Sequence, residues 1–160
     1  MQISKVVIRN PTMEDLNRIV FINRESLPEN YSLQYFISII SKYKDFCVVA
    51  EVDGLVVGYI LTRLERATKN MIPFKGKRGH IISVAVLKEY RGQGIGRKMM
   101  EWVIEKLKQE GVDDVVLEVR LSNKVARNMY FKLGFEDAEI LKSYYLDGED
   151  AAFMRLPLSK

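Results

Sequence analysis

The residues best placed to do chemistry are Arg91-Gly92-Gln93-Gly94-Ile95-Gly96, an arginine followed by alternating glycines. Glycine has no Cβ, so an anion can come close to the backbone. A helix start adds unpaired N–H groups and the positive end of the helix dipole. A diphosphate is the natural guest of such a turn if a helix begins there. Two better-known phosphate loops fit less well: G-x-x-x-x-G-K-[ST] is absent, and Gly92-x-Gly94-x-Gly96 is one residue short of G-x-G-x-x-G. No acid closes a strand ~20 residues further on to hold a ribose, as a dinucleotide fold requires. Asp113 and Asp114 instead precede the next strand. A glycine-rich turn with no ligand is the alternative.

The flanking residues supply the required joint. His80 to Leu87 is β-branched and apolar without clean alternation, which predicts a strand covered on both faces. From Ile95 the period changes. Ile95, Met99, Trp102, Val103 and Leu107 recur at helical spacing, Arg97, Lys98, Glu101, Glu105 and Lys108 fall elsewhere, and Gly111 ends the run. The glycines therefore fall where a strand becomes a helix.

The rest of the chain reads as elements around that joint. Val6 to Arg9 predicts a strand, and Thr12 with Asp15 a helix start. Leu16, Ile19, Val20 and Asn23 mark one helical face, which Pro28 stops. Leu27-Pro28-Glu29-Asn30-Tyr31 connects to a second helix carrying Leu33, Phe36, Ile37 and Ile40. Phe46 to Val52 and Leu55 to Leu64 read as strands joined through Asp53-Gly54, a hairpin signal. Residues 65–78 are polar and basic, contain Pro73 and Gly76, and read as a long loop. Val115 to Arg120 alternates, placing Glu118 on a strand expected to be central. Ser122 and Asn123 cap a short helix with Val125, Met129 and Leu133, closed by Gly134. Ala138 to Leu146 and Ala151 to Leu156, joined through Asp147-Gly148, predict a final antiparallel pair. The order β, α, α, β, β, β, α, β, α, β, β implies an α/β (α+β) chain with a mixed central sheet of about seven strands flanked by about four helices.

At 160 residues and 48% apolar the chain fits one domain, 1–160, without repeats or linkers. Met1-Gln2-Ile3-Ser4-Lys5 does not read as a signal peptide, and no run approaches the ~18 apolar residues of a membrane span. The expectation is a soluble, cytoplasmic protein without a membrane partner. Cys47, the sole cysteine, lies in an apolar run and reads as a buried structural thiol. With one histidine beside it in the composition there is no metal site to expect. Net charge is only +4, but Arg63, Arg66, Lys69, Lys75, Lys77 and Arg78 crowd one segment against the single acid Glu65. That segment is either a solvated loop or a patch for an anionic partner, with no sign of sequence-specific nucleic-acid binding.

Arg91-x-x-Gly94-x-Gly96, in this strand and helix setting, resembles the acetyl-CoA loop of the GNAT superfamily of N-acetyltransferases, and the order of elements is the GNAT order. Four further segments resemble the protein N-terminal acetyltransferases, particularly archaeal enzymes related to the catalytic subunit of the A-type complex. They are Ser26 to Tyr31, Gly79 to Val86, Leu117 to Asn123 and Tyr144 to Ala151. The resemblance implies that Arg91, Gly92, Gln93, Gly94, Ile95 and Gly96 hold the pyrophosphate of acetyl-CoA. It implies that the backbone of Val84, Ala85 and Val86 pairs with the pantetheine arm and polarises the thioester carbonyl. Asn123 and Tyr130 match positions near the cofactor, Tyr130 as the acid that protonates the departing thiolate. Leu27, Pro28, Glu29 and Tyr31 match the substrate loop, and Tyr144 and Tyr145 the facing hairpin. His80 and Glu118 match the positions that take a proton, usually through water. The substrate implied is a polypeptide N-terminus, with ribosome or auxiliary-subunit association left open. Ser32 stands where relatives often carry proline.

The chemistry also stands without the family. An α-amine has a pKa of about 7.7 to 8.0 against about 10.4 for lysine, so roughly a tenth is neutral near pH 7. Histidine has a suitable intrinsic pKa for a base, whereas a carboxylate near ~4.3 needs burial or a water relay. Structural roles compete with each assignment: His80 as a satisfied strand residue, Glu118 as a paired buried acid, Tyr130 as a core aromatic. Two rival functions remain at this point: acetylation of a small amine or lysine side chain, and a non-catalytic acetyl-CoA-binding or RNA-associated module.

Overall fold

Strands β2 (Val48–Val52) and β3 (Leu55–Arg66) fold back on each other through Asp53 and Gly54, whose φ angles of 51° and 84° are the positive values a tight two-residue hairpin turn requires. The structure, a computed structural model, describes residues 5–66 and 76–158. Preceding this hairpin are β1 (Val6–Arg9), α1 (Leu16–Ser26) and α2 (Leu33–Tyr43). Following it are β4 (Lys77–Val86), α3 (Ile95–Glu110), β5 (Asp114–Arg120), α4 (Lys124–Leu133), β6 (Glu136–Leu141) and β7 (Ala151–Pro157). The described residues form a seven-stranded sheet in the order β1-β2-β3-β4-β5-β7-β6. It is mixed: β4 and β5 run parallel, with Arg78, Gly79 and His80 opposite Asp114, Val115 and Val116, whereas β1/β2, β2/β3, β5/β7 and β6/β7 are antiparallel. Among the described residues no helix is long and apolar enough to cross a membrane.

The chain falls into two compact units. The first takes in the described residues of Met1–Arg63 together with Ile82–Lys106. Its core joins Ile19 and Ile22 of α1, Phe36 and Ile40 of α2, Val57 and Leu61 of β3, and Met99 and Met100 of α3, all nearly inaccessible. Full burial of such a side chain contributes about 1.5–3 kcal/mol. The second takes in the described residues of Leu64–Ile81 and Leu107–Lys160. There Val115 and Leu117 of β5, Ala152 and Met154 of β7, and Leu107 are buried.

Several boundaries differ from the sequence reading, for physical reasons. β3 continues to Arg66 and β4 begins at Lys77, so both ends of the expected 65–78 loop are strand. Charged residues occupy those ends because their charges are paired: Arg78 with Asp114, and Glu65 with His80. The rest of that basic segment, including Lys69, Pro73 and Lys75, lies outside the described residues, as do Met1 to Ser4. β4 is buried on both faces only near Arg78–Ile81, and Ile82, Val84 and Val86 stay partly exposed. β2 starts at Val48, after a 3-10 turn over Lys44–Phe46. The last hairpin is shorter than expected, since β6 ends at Leu141 rather than Leu146. Ser143 takes φ 49° and its N–H donates to Asp150 Oδ1 at 2.8 Å, which removes this stretch from the strand ladder.

Candidate active site

In the first unit, a 3-10 turn over Lys88–Tyr90 leads β4 into the glycine stretch. Arg91 Nε donates to the Val86 carbonyl at 2.7 Å, folding the turn back on its strand. Gly92 and Gly94 take φ of 77° and 80°, and a Cβ added at either would meet open space. The positive φ, not crowding, is what requires glycine here. The Lys98 N–H donates to the Gly94 carbonyl at 3.0 Å, so the helix begins at Gly94 and the N–H groups of Ile95, Gly96 and Arg97 lie in its first turn, without an i−4 partner. Ile95 is buried while Gly92, Gln93 and Gly94 are exposed, anchoring the helix start and leaving the turn accessible. Exposed donors, the dipole and positive-φ glycines fit the diphosphate of acetyl-CoA.

The strand that carries Val84, Ala85 and Val86 is held from behind. Leu87 N–H donates to the Val57 carbonyl at 2.9 Å. A Cβ at Gly58 would lie 3.1 Å from the Ala85 carbonyl oxygen and 3.1 Å from Met99 Cε, so β3 and α3 close tightly on this segment.

The connection Leu27 to Tyr31 is pinned to the same strand. Asn23, 1% exposed, donates from Nδ2 to the Glu29 carbonyl at 3.3 Å and to the Tyr59 hydroxyl at 3.1 Å. That hydroxyl lies 2.7 Å from Ser83 Oγ on β4. Tyr31 donates its hydroxyl to the Ile82 carbonyl at 3.3 Å and stacks on Tyr35, ring centroids 4.9 Å apart. Leu27 N–H bonds the Asn23 carbonyl as the helix ends before Pro28. Ser32, the departure from the family pattern, caps α2 by accepting from Tyr35 N–H at 3.2 Å, a role proline cannot fill. Asn23, Tyr59 and Ser83 were not singled out by sequence. The available signal was Asn23 itself, an amide on an otherwise apolar helical face.

In the second unit, His80 and Glu118 meet directly. His80 Nε2 lies 2.8 Å and 3.1 Å from the two Glu118 carboxylate oxygens, and Nδ1 lies 2.6 Å from Glu65 Oε2. Glu65, the single acid of the basic segment, is thus part of the cluster. Burial alone would push the imidazole down, but hydrogen bonds to Glu118 and Glu65 outweigh it and raise it from 6.5 to about 9. The direction favours the doubly protonated ring at neutral pH, whereas residue type alone suggests a histidine of ordinary pKa. The raised value means that the group stabilises the fold fully below pH 6.5, and that this contribution, up to about 3 kcal/mol, is lost as pH rises through about 9. Melting curves of wild type and His80→Asn between pH 6 and 10 should converge as the pH rises, and parallel curves would contradict the pairing.

Tyr130, 6% exposed, packs on Phe135 with centroids 5.7 Å apart, and burial raises its phenol to about 12. Burial thus favours the protonated phenol, the form in which it has a proton to give. Asn123 caps α4, its Oδ1 accepting from Ala126 N–H at 3.2 Å. Tyr144, half exposed, meets Tyr145 edge-on at 5.0 Å. The Arg120 guanidinium lies 4.1 Å from the Tyr145 ring centre and pairs with Asp147 and Glu149, each at 2.8 Å. Glu149, held down to about 2 by Ser122 and Arg120, accepts from Ser122 N–H. This acid-rich turn is built around Arg120, a residue the alternating pattern of β5 only marks as facing the same way as Glu118. Cys47 is fully buried and burial pushes its thiol up to about 12, so it is no nucleophile.

A helix start with exposed glycines at positive φ, fed by a strand with partly exposed backbone, could hold the diphosphate of a cofactor. The chain belongs to the acetyltransferase (GNAT) family, whose model matches residues 12–135. It is 44% identical over 154 residues, 94% of this chain and 92% of the relative, to an N-alpha-acetyltransferase of Sulfurisphaera tokodaii. It is 36% identical to the N-terminal acetyltransferase A complex catalytic subunit NAA10 of Arabidopsis thaliana, over 94% of this chain and 77% of that protein. Among solved structures it is similar to the NatC complex bound to Gag peptide and CoA, with TM-score 0.87 and 26% identity over 97% of this chain and 99% of the matched chain.

Proposed function

We propose that this chain is a protein Nα-acetyltransferase that moves an acetyl group from acetyl-CoA directly to the α-amine of a polypeptide N-terminus. What carries the reading is the reach of the likeness: the match to the archaeal N-alpha-acetyltransferase runs over 94% of this chain at 44% identity. One relative is the catalytic subunit of a complex, which supports adding an auxiliary subunit to the proposal; a cytoplasmic setting and ribosome association belong to it as well.

Acetyl-CoA, when bound, supplies an acetyl thioester that an amine can attack. The Arg91 to Gly96 turn binds the diphosphate through backbone N–H groups, and the Val84 to Val86 backbone orients the arm and offers an N–H to the carbonyl. Preorganised donors of this kind are typically a large share of catalysis, each worth about 3 kcal/mol. Glu29 and Tyr31, on the loop that Leu27 and Pro28 shape, are assigned to substrate recognition, as are Tyr144 and Tyr145 of the second unit. The α-amine needs little help to become neutral, with a pKa of about 7.7–8.0. With hydrogens already lying in both bonds from the His80 ring to Glu65 and Glu118, the amine's proton enters the cluster at a carboxylate oxygen, Glu118 being the acceptor we assign. Tyr130, which keeps its proton, serves as the acid for the leaving sulfur. No acyl-enzyme is invoked, in keeping with the buried, protonated Cys47.

The test is acetyl-CoA turnover on peptides beginning Ser, Ala, Met-Leu and Met-Glu, on one with a blocked N-terminus and an internal lysine, and on spermidine. Rapid acetylation of unblocked N-termini with the last two inert is the expected result. Turnover confined to the blocked peptide or spermidine would overturn the proposal in favour of a lysine or small-amine enzyme.

A further inference from the structure

The contacts of His80 impose a proton count. An ionised carboxylate only accepts hydrogen bonds, and a neutral imidazole has one N–H. Yet Nδ1 lies 2.6 Å from Glu65 and Nε2 lies 2.8 Å from Glu118, so two hydrogens must sit in these two bonds. Either the ring is an imidazolium between two carboxylates or one carboxyl is protonated. In both cases the three groups together keep one proton more than a neutral histidine flanked by two carboxylates. The side chains are only 10%, 11% and 15% exposed for His80, Glu65 and Glu118, so water does little to screen them from one another. Two further arginines on these strands have partners of their own among the described residues. On β4, Arg78 is bonded to Asp114 of β5, which also accepts from Arg155 of β7, and on β3 Arg63 donates to the Tyr35 hydroxyl. Among the described residues, the charges that contact the imidazole are Glu65 from β3 and Glu118 from β5.

We propose that Glu65 is a positioning residue for the transfer reaction: it grips His80 Nδ1, turns Nε2 toward Glu118, and makes the three side chains one proton-holding unit. This rests on the reading of Glu118 and His80 as the proton-handling groups of an Nα-acetyltransferase. Without Glu65 the ring has no carboxylate on its Nδ1 side to fix its rotamer and to balance the second proton. The unit then loses its stored proton at a lower pH, and Glu118 loses the oriented N–H that holds its oxygens in place.

Because His80 is the sole histidine, its ring resonances report on this unit without overlap. The experiment follows the His80 ring by NMR against pH, with no substrate present, in wild type, Glu65→Gln and Glu65→Asp, and pairs it with pH profiles of N-terminal peptide acetylation. Glutamine keeps the size and a hydrogen-bonding oxygen, so the fold should survive. The expected result is a His80 midpoint lowered by at least one pH unit in Glu65→Gln and largely restored in Glu65→Asp. A kcat loss of tenfold or more, with KM for acetyl-CoA unchanged, should accompany it. An unaltered midpoint in Glu65→Gln, or an ordinary midpoint in wild type, overturns the proposal. So does a shifted midpoint with an unchanged kcat and pH profile. Coupled titration in a protein that acetylates no N-terminus would sink the positioning role together with the assigned reaction, while an uncoupled ring in an active enzyme removes only Glu65.

Discussion

Replacing Asp114 with alanine should lower stability by about 3–5 kcal/mol, the range found when one member of a buried ion pair is removed. Arg78 and Asp114 are both fully buried and bonded twice, Nε to Oδ1 at 2.9 Å and Nη2 to Oδ2 at 2.8 Å. Burial pushes the Asp114 carboxyl up, and the Arg78 and Arg155 guanidiniums more than offset it, so that the group stays ionised. The variant leaves Arg78 charged in an apolar interior with its bidentate partner gone. For a chain of this size each kcal/mol moves the melting temperature by about 2–4 °C, so a fall of roughly 10 °C is expected in a thermal melt followed by circular dichroism. Arg155 is partly exposed and can turn to solvent, which is why the loss is assigned to Arg78. The double variant Arg78→Leu with Asp114→Leu should recover much of it, because removing both charges removes the desolvation penalty as well. A single variant that melts within a degree or two of wild type would show that the interior charge is compensated in another way.

Gly94→Val should raise the KM for acetyl-CoA at least tenfold while leaving the fold nearly intact. The two effects separate because of how this glycine is used. An added Cβ finds open space, so packing is not disturbed, but φ 80° is closed to a branched residue. Holding that conformation would cost about 1–2 kcal/mol, and an exposed turn can avoid the strain by relaxing. Relaxation turns the N–H groups of the first helical turn away from the diphosphate. Steady-state kinetics with acetyl-CoA as the varied substrate check this, with the KM for the peptide as the control. An unchanged acetyl-CoA KM would remove the turn from the cofactor site.

The contrast between these two positions explains what the sequence could reveal. The glycine turn was legible because everything that defines it is local: a change of period from strand to helix, and glycines at the joint. Asp53-Gly54 was legible for the same reason. Arg78 and Glu65 were not, since a charge on a polar stretch reads as solvated until the opposing strand is known. Asp114 and His80, which neutralise them, are 36 and 15 residues away in sequence. The same logic hid Arg120, whose work is to hold the turn of Asp147 and Glu149, 27 and 29 residues on. Residue type pointed correctly to Cys47 as a core thiol. For His80, type alone suggested a neutral base and missed the flanking carboxylate that makes it a proton holder.

The anchoring of Leu27 to Tyr31 has an evolutionary consequence. The loop backbone is gripped at the Glu29 carbonyl by Asn23, which is tied through Tyr59 to Ser83, so part of the hold comes from groups outside the loop and falls on a main-chain atom. Ordering a residue costs about 1–2 kcal/mol, and here that is met during folding instead of at each encounter with a polypeptide. The Asn23 bond falls on the Glu29 carbonyl, so substitution of the Glu29 side chain leaves it in place. If residue 29 reads the substrate as proposed, selectivity and scaffold can then drift at different rates.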